Sequence, residues 1–147
     1  MFRIVNEDKV IPEAKLFIEN LKQHEFFQFI DIEFLEVNTE RAVGRMKFDS
    51  KFLNHYGTVH GGMLYALADT VAGIMVCMCG RICTTVDGHL NYFEPAINTE
   101  YVYCEATLIR SGNHLANAYV RITGDDGQLF DDGTINYFKL KNDPYHK

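Results

Sequence analysis

The stretch Met63-Leu64-Tyr65-Ala66-Leu67-Ala68-Asp69-Thr70-Val71-Ala72-Gly73-Ile74-Met75-Val76-Cys77-Met78-Cys79 decides the fold. Its seventeen residues carry one charge, Asp69, and no proline. Such a run predicts a helix, and a helix apolar on nearly all sides must be wrapped by other elements. The length is at the lower edge of a bilayer span. The mid-segment carboxylate, the bracketing Gly61-Gly62 and Gly80, and the strand-like sequence all around argue against a membrane.

Working outward, the wrapping material reads as strand. Downstream, Val102, Cys104, Ala106 and Leu108 alternate with polar or aromatic neighbours, as do Ala116, Ala118, Val120 and Ile122. Each is a period-two signal with one buried face. Thr85 to Phe93 alternates likewise, with Val86, Leu90 and Tyr92 read as the inner face, and Gln128 to Leu140 closes the set. Ser111-Gly112-Asn113 and Gly124-Asp125-Asp126-Gly127 read as hairpin turns. Upstream, Glu40 to Phe48 and the aromatic, β-branched run Phe26 to Val37 read as two strands, and Ser50 to His60 as a loop. Pro12 to Glu25 reads as a short helix with proline near its start. The class is α+β: a short helix, two strands, a buried helix, then an antiparallel meander of about four strands. One helix covers one sheet face only, so self-association is expected.

Length and composition agree. The 147 residues predict one domain, 1–147, with residues 1–26 as an N-terminal extension holding the short helix. Roughly 69% of the unfolded surface can be buried at this size, enough for a core without staples. Apolar residues make up 47% and charged residues 23%, which excludes a disordered chain. A net charge of −6 offers no broad basic face, so no nucleic-acid partner is expected. The start Met1-Phe2-Arg3-Ile4 lacks the basic and apolar regions of a signal peptide. Cys77, Cys79, Cys83 and Cys104 form no CxxC pair, so the reading is reduced cysteines in a cytoplasmic protein, with no metal and no cofactor.

The run Asn54-His55-Tyr56-Gly57-Thr58-Val59-His60-Gly61-Gly62, followed by Leu67-Ala68-Asp69, resembles the signature of hotdog-fold acyl-CoA thioesterases of the PaaI-like (phenylacetate-pathway) branch. The pattern Asn-x-x-Gly-x-x-His-Gly-Gly, with Asp seven residues after the second Gly, is matched without gaps. Thr85-Val86-Asp87, Tyr92-x-x-Pro95-Ala96 and Arg110-Ser111-Gly112 add support, and the similarity runs from about Asn38 to Leu140. The resemblance implies a long central helix wrapped by a curved antiparallel sheet of five to six strands. It also implies an acyl-CoA substrate hydrolysed to acid and CoA, and a homodimer or homotetramer with its active site at the interface.

Thioester hydrolysis needs charge stabilisation at the carbonyl oxygen, an activated water or nucleophile, and a place for the acyl chain. Gly61 and Gly62 lie where the loop enters the helix, so free N–H groups and the helix dipole suit an oxyanion there. Asn54 can add a side-chain donor. Asp69, buried, must be hydrogen-bonded, hydrated or protonated; in the resembling enzymes the matching carboxylate is base or nucleophile. Eight residues from Gly61 to Asp69 span about 12 Å along a helix and differ by about 80° in direction. Either Asp69 is not catalytic or it acts on substrate held by another subunit, and the resemblance implies the second.

Thr85 matches the family's water-orienting Ser or Thr, and His60 is read as fixing the loop or lining the site. His55 and Tyr56 fall where the acyl pocket is shaped. Arg110, Ser111 and Gly112 are candidates for the CoA phosphates, with Arg81 and Lys139 beside them. Asp131-Asp132, where relatives carry small or apolar residues, reads as a turn or bulge. Two other readings compete. One is a non-catalytic acyl-CoA binder or sensor; the other is a hydroxyacyl-thioester dehydratase, disfavoured because the loop has no proline.

Overall fold

The computed structural model describes residues 3–144. The central helix, α3, runs Gly61–Cys77. It has the predicted length, displaced two residues toward the N-terminus because His60 caps it: the His60 Nδ1 accepts from the Gly62 N–H at 2.8 Å. Ahead of it come β1 (Arg3–Ile4), α1 (Pro12–Leu21), α2 (Glu25–Ile30), β2 (Glu33–Val37) and β3 (Arg41–Lys47). Behind it come β4 (Cys83–Tyr92), β5 (Tyr101–Ser111), β6 (Leu115–Thr123) and β7 (Leu129–Lys139).

All seven strands form one sheet in the order β1-β2-β3-β5-β6-β7-β4. That is one strand more than the sequence predicts; the addition is the two-residue β1, which pairs parallel with β2. The remaining pairs are antiparallel. α3 lies across the concave face, with Leu67, Ala68, Val71 and Met75 fully enclosed. Close approach depends on Gly44 in β3, where an added Cβ would sit 2.8 Å from Val71 Cγ2 and 3.0 Å from Ile32 Cγ2. The alternations read in β5 and β6 hold: Val102, Cys104, Ala106, Ala116, Ala118, Val120 and Ile122 are all fully buried.

Three readings are corrected. Phe26 to Val37 is not a single strand. Glu25–Ile30 is a helical turn and a half that buries Ile30 and stops at Asp31, whose φ of 57° breaks the helix. The Phe-rich composition resembles a strand, but apolar residues three apart, Phe27 and Ile30, close one helical face against the core. Second, β4 does not join the meander; it pairs with β7 at the far edge of the sheet. Third, its face alternation fails. A register shift between Thr85 and Asp87 interrupts the period, Leu90 alone in β4 is buried, and Val86 and Tyr92 stand 57% and 52% exposed.

The acidic pair Asp131-Asp132 forms no turn, but it does adjoin a bulge: Ile122 pairs with Asp131 and Thr123 with Leu129, so Phe130 is the extra residue of β7. Both residues lie within β7, and adjacent residues face opposite sides. Asp132 is on the outer face, where its oxygens accept from Tyr119 Oη at 2.9 Å and Asn91 Nδ2 at 3.2 Å. Asp131 is fully buried, beside Ile122 of β6 and Tyr92 of β4 in the ladder.

Candidate functional site

Asp69 sits in the third turn of α3, and its carboxylate reaches β4 and β7. Thr85 Oγ1 donates to Asp69 Oδ1 at 2.7 Å. Tyr137 Oη donates to the same oxygen at 3.2 Å and lies 3.0 Å from the Asp69 carbonyl oxygen. Oδ1 therefore accepts from Thr85 and shares the single Tyr137 proton with the backbone carbonyl, while Oδ2 has no hydrogen-bond partner among the described residues. Burial, with the adjacent Asp69 charge, pushes the Tyr137 phenol well above its usual range, so it stays a donor at any physiological pH. These three side chains line a cavity of ≈ 200 Å³ whose apolar wall is Phe17, Leu21 and Phe27 from the N-terminal helices.

Gly61 begins α3 at its positive end. Its N–H is the first of the helix and has no intrahelical acceptor. The next N–H, that of Gly62, is taken by His60. Tyr92 covers this end: its Oη donates to the Gly61 carbonyl oxygen at 2.8 Å, and a Cβ on Gly61 would lie 3.2 Å from the ring. Gly61, Asn54, Leu64 and Tyr92 line a second cavity of ≈ 300 Å³. No residue is common to the two linings, so within one chain the amide donor and the carboxylate open into separate spaces.

Asn54 is beside Gly61 but braces its own loop. Its Oδ1 accepts from the Tyr56 and Thr58 N–H groups at 2.9 and 3.2 Å, and its Nδ2 donates to Thr58 Oγ1 at 2.9 Å. His60 is an N-cap, a role its place before the glycines makes legible. Arg110 and Ser111 end β5 rather than standing in a turn. The Gly112 N–H donates to the Leu115 carbonyl at 2.8 Å, and Ser111 Oγ accepts from Lys139 Nζ at 2.5 Å. Arg81 donates to the carbonyls of Asn113, Lys139 and Leu140, so it clamps the chain behind β7. Among these candidate cations, Arg110 has no such partner among the described residues.

Tyr137 was not legible as a site residue. Its one signal is its inward register: counting by two from Ile135 puts it on the helix side of β7, opposite Thr85 in the ladder.

The model of the Thioesterase superfamily matches residues 56–130, just over half of the chain. The chain belongs to the thioesterase superfamily. The mouse acyl-coenzyme A thioesterase 13 is 32% identical over 87 residues, covering 57% of this chain and 61% of the relative, so this chain spans less than two thirds of that protein. Among solved structures, the PaaI protein of the phenylacetic acid degradation operon of Escherichia coli superposes with a TM-score of 0.82 at 15% identity, covering 88% of this chain and 95% of PaaI. A thioesterase of Streptococcus pneumoniae solved with coenzyme A gives 0.71 at 24%, covering 74% of this chain and 85% of that one. The hotdog fold read from the Asn54–Asp69 signature is therefore the fold of the molecule. No helix among the described residues is long and apolar enough to cross a membrane.

Proposed function

We propose that this thioesterase-superfamily chain hydrolyses an acyl-CoA thioester in a homodimer, with the amide of Gly61 from one protomer facing Asp69 of the partner subunit. The observation that carries the chemistry is the short bond from Thr85 Oγ1 to Asp69 Oδ1 in the lining of a largely apolar cavity. A carboxylate oriented by the Thr85 hydroxyl, with Tyr137 sharing its proton between the same oxygen and the backbone, suits a base that takes a proton from water. Thr85 spends its proton on Asp69, and its lone pairs remain to accept from that water. The attacked carbonyl becomes an oxyanion, which the Gly61 N–H and the helix dipole stabilise. Collapse of the tetrahedral species then expels the CoA thiolate, a good leaving group that needs little protonation.

Two features support the dimer. Asp69 and Gly61 open into different cavities of one chain. The outer edge of β4 has no strand beside it among the described residues and exposes Val86 and Tyr92 beside both half-sites, a surface that a second β4 would cover. The coenzyme A held by the pneumococcal thioesterase supports the same ligand class here, with Arg110 as the available cation for its phosphates.

The test is thiol release from phenylacetyl-, hydroxybenzoyl- and straight-chain acyl-CoA esters by wild type and Asp69→Ala. Turnover that falls by about 10²- to 10⁴-fold in the variant, with KM nearly unchanged, supports the reading. Tight acyl-CoA binding without turnover in the wild type would replace it with a sensor.

A further inference from the structure

Two cysteines belong to the lining of the apolar cavity. Cys77 closes α3, Cys83 opens β4, and both line the cavity that holds Asp69 and Thr85. Cys79 lies between them in the connecting turn and is exposed. The Cys83 sulfur is 4.0 Å from the Cys79 sulfur, and it also contacts the Val76 and Arg81 carbonyl oxygens at 3.8 and 3.6 Å. Among the described residues no group of three such side chains is arranged to hold a metal ion. Two of these thiols are thus close and differently exposed.

We propose that Cys79 and Cys83 form a reversible disulfide that withdraws the Cys83 sulfur from the acyl cavity. A disulfide needs about 2.05 Å between sulfurs, so the pair must close by about 2 Å. The turn permits it from the Cys79 side. Gly80 follows with φ of 84°, whereas Arg81 is anchored by its three carbonyl bonds. Exposure makes Cys79 the first thiol to meet an oxidant. Cys83 is less acidic than an ordinary thiol because it hydrogen-bonds to Cys77 and is partly buried, so it acts second.

The oxidant is a peroxide. The Cys79 thiolate attacks one peroxide oxygen, the O–O bond breaks, and a sulfenic acid and hydroxide form. The Cys83 sulfur then attacks the sulfenic sulfur. The S–S bond forms, the S–O bond breaks, and the oxygen leaves as water with the Cys83 proton. Two thiols lose two electrons, and one peroxide becomes two waters. Cys83 and Thr85 share one face of β4, so drawing the Cys83 side chain toward Cys79 enlarges the space beyond Thr85. The oxidised form therefore favours longer acyl chains.

This last consequence rests on the thioesterase reading; the disulfide does not. The full chain is treated with one equivalent of hydrogen peroxide, then mapped by intact mass and by non-reducing tryptic digestion, which cuts after Arg81. The expected product is about 2 Da lighter, links the peptide 52–81, which holds both Cys77 and Cys79, to that of Cys83, reverts with dithiothreitol, still forms in Cys77→Ser and is absent from Cys79→Ser. Its ratio of kcat/KM for long over short acyl-CoA rises at least about threefold, the scale of a small change in pocket volume. Oxygen addition to separate thiols, or a link that is lost in Cys77→Ser and survives in Cys79→Ser, overturns the proposal. A Cys79–Cys83 link that leaves the ratio unchanged overturns its bearing on the cavity. If the reduced protein cleaves no ester, the thioesterase reading fails, while the mass and the map still judge the disulfide.

Discussion

Replacing Asp131 by asparagine should change the pH dependence of stability more than any other single substitution in this fold. Asp131 is fully buried on the inner face of β7, and neither carboxylate oxygen has a hydrogen-bond partner among the described residues. Burial, reinforced by the neighbouring Asp132, raises its pKa from 3.8 to about 7. The other titratable group in its ladder is Tyr92, whose own phenol is pushed up by burial and by the Asp131 charge.

A carboxyl with a raised folded-state pKa is bound to its proton longer in the native chain than in the unfolded one. Stability is therefore whole below about pH 4 and is lost progressively up to about pH 7, above which the loss is constant. Three units at 1.36 kcal/mol each set an upper value of about 4 kcal/mol, and relaxation around the charge brings the expectation to about 2–4 kcal/mol. Asp131→Asn removes the charge at every pH. In urea unfolding the variant should resemble wild type at pH 4. At pH 8 it should gain about 2–4 kcal/mol, a midpoint shift of about 1–2 M at an ordinary slope. A difference between the two pH values below about 0.5 kcal/mol would refute the burial of an unpartnered carboxyl at this position.

Glu33 carries the opposite sign. It too is buried, which raises its pKa, but hydrogen bonds and charge from Arg3 and Arg45 outweigh this and hold it below the usual range. The stability it confers is present above the unfolded carboxylate pKa and lost as pH falls, so Glu33→Gln should flatten the acid limb of a urea-midpoint profile. Tyr137→Phe removes one donor to the Asp69 carboxylate; kcat for thioester cleavage should fall about 10- to 100-fold with KM within twofold. Gly61→Pro deletes one N–H in the first helical turn but also sets a Cβ 3.2 Å from the Tyr92 ring, so Gly61→Ala, which adds the same Cβ and keeps the N–H, is the reference: kcat should be about 10²- to 10³-fold lower in the proline variant than in the alanine one, with the same circular dichroism. Gly44→Ala places a methyl 2.8 Å from Val71 Cγ2 and should cost about 1–3 kcal/mol in denaturant unfolding.

Elements whose signal is local were legible before any coordinates. α3 declares itself by a single charge in seventeen residues, and β5 and β6 by strict alternation. The Asn54–Asp69 run identified the fold and placed Asp69 and Gly61 among the candidates, and the separate Thr85-Val86-Asp87 match added Thr85. What escaped depends on partners distant in sequence. The position of β4 beside β7 is a pairing between residues about 50 apart, and no feature of 85–93 states it. Tyr137 earns its place from Asp69, 68 residues earlier. At Asp131-Asp132 a bulge was legible and the burial of Asp131 was not, because a buried carboxyl is costly and local rules put acidic pairs before glycine at the surface. α2 was misread because Phe26, Phe27 and Phe29 fit either period over six residues.

The two cavities that share no lining residue bear on inheritance as much as on catalysis. On the interfacial reading, a chain damaged at Asp69 and a chain damaged at Gly61 are each inert alone, yet each brings what the other lacks. Co-expressed in equal amounts, they pair at random, and half of the dimers hold one intact centre out of two, restoring about a quarter of the wild-type rate. Two alleles of this gene, each null by itself, would then complement within one cell, while a lesion at Cys104 or Gly44, deep in the shared core, would find no such relief.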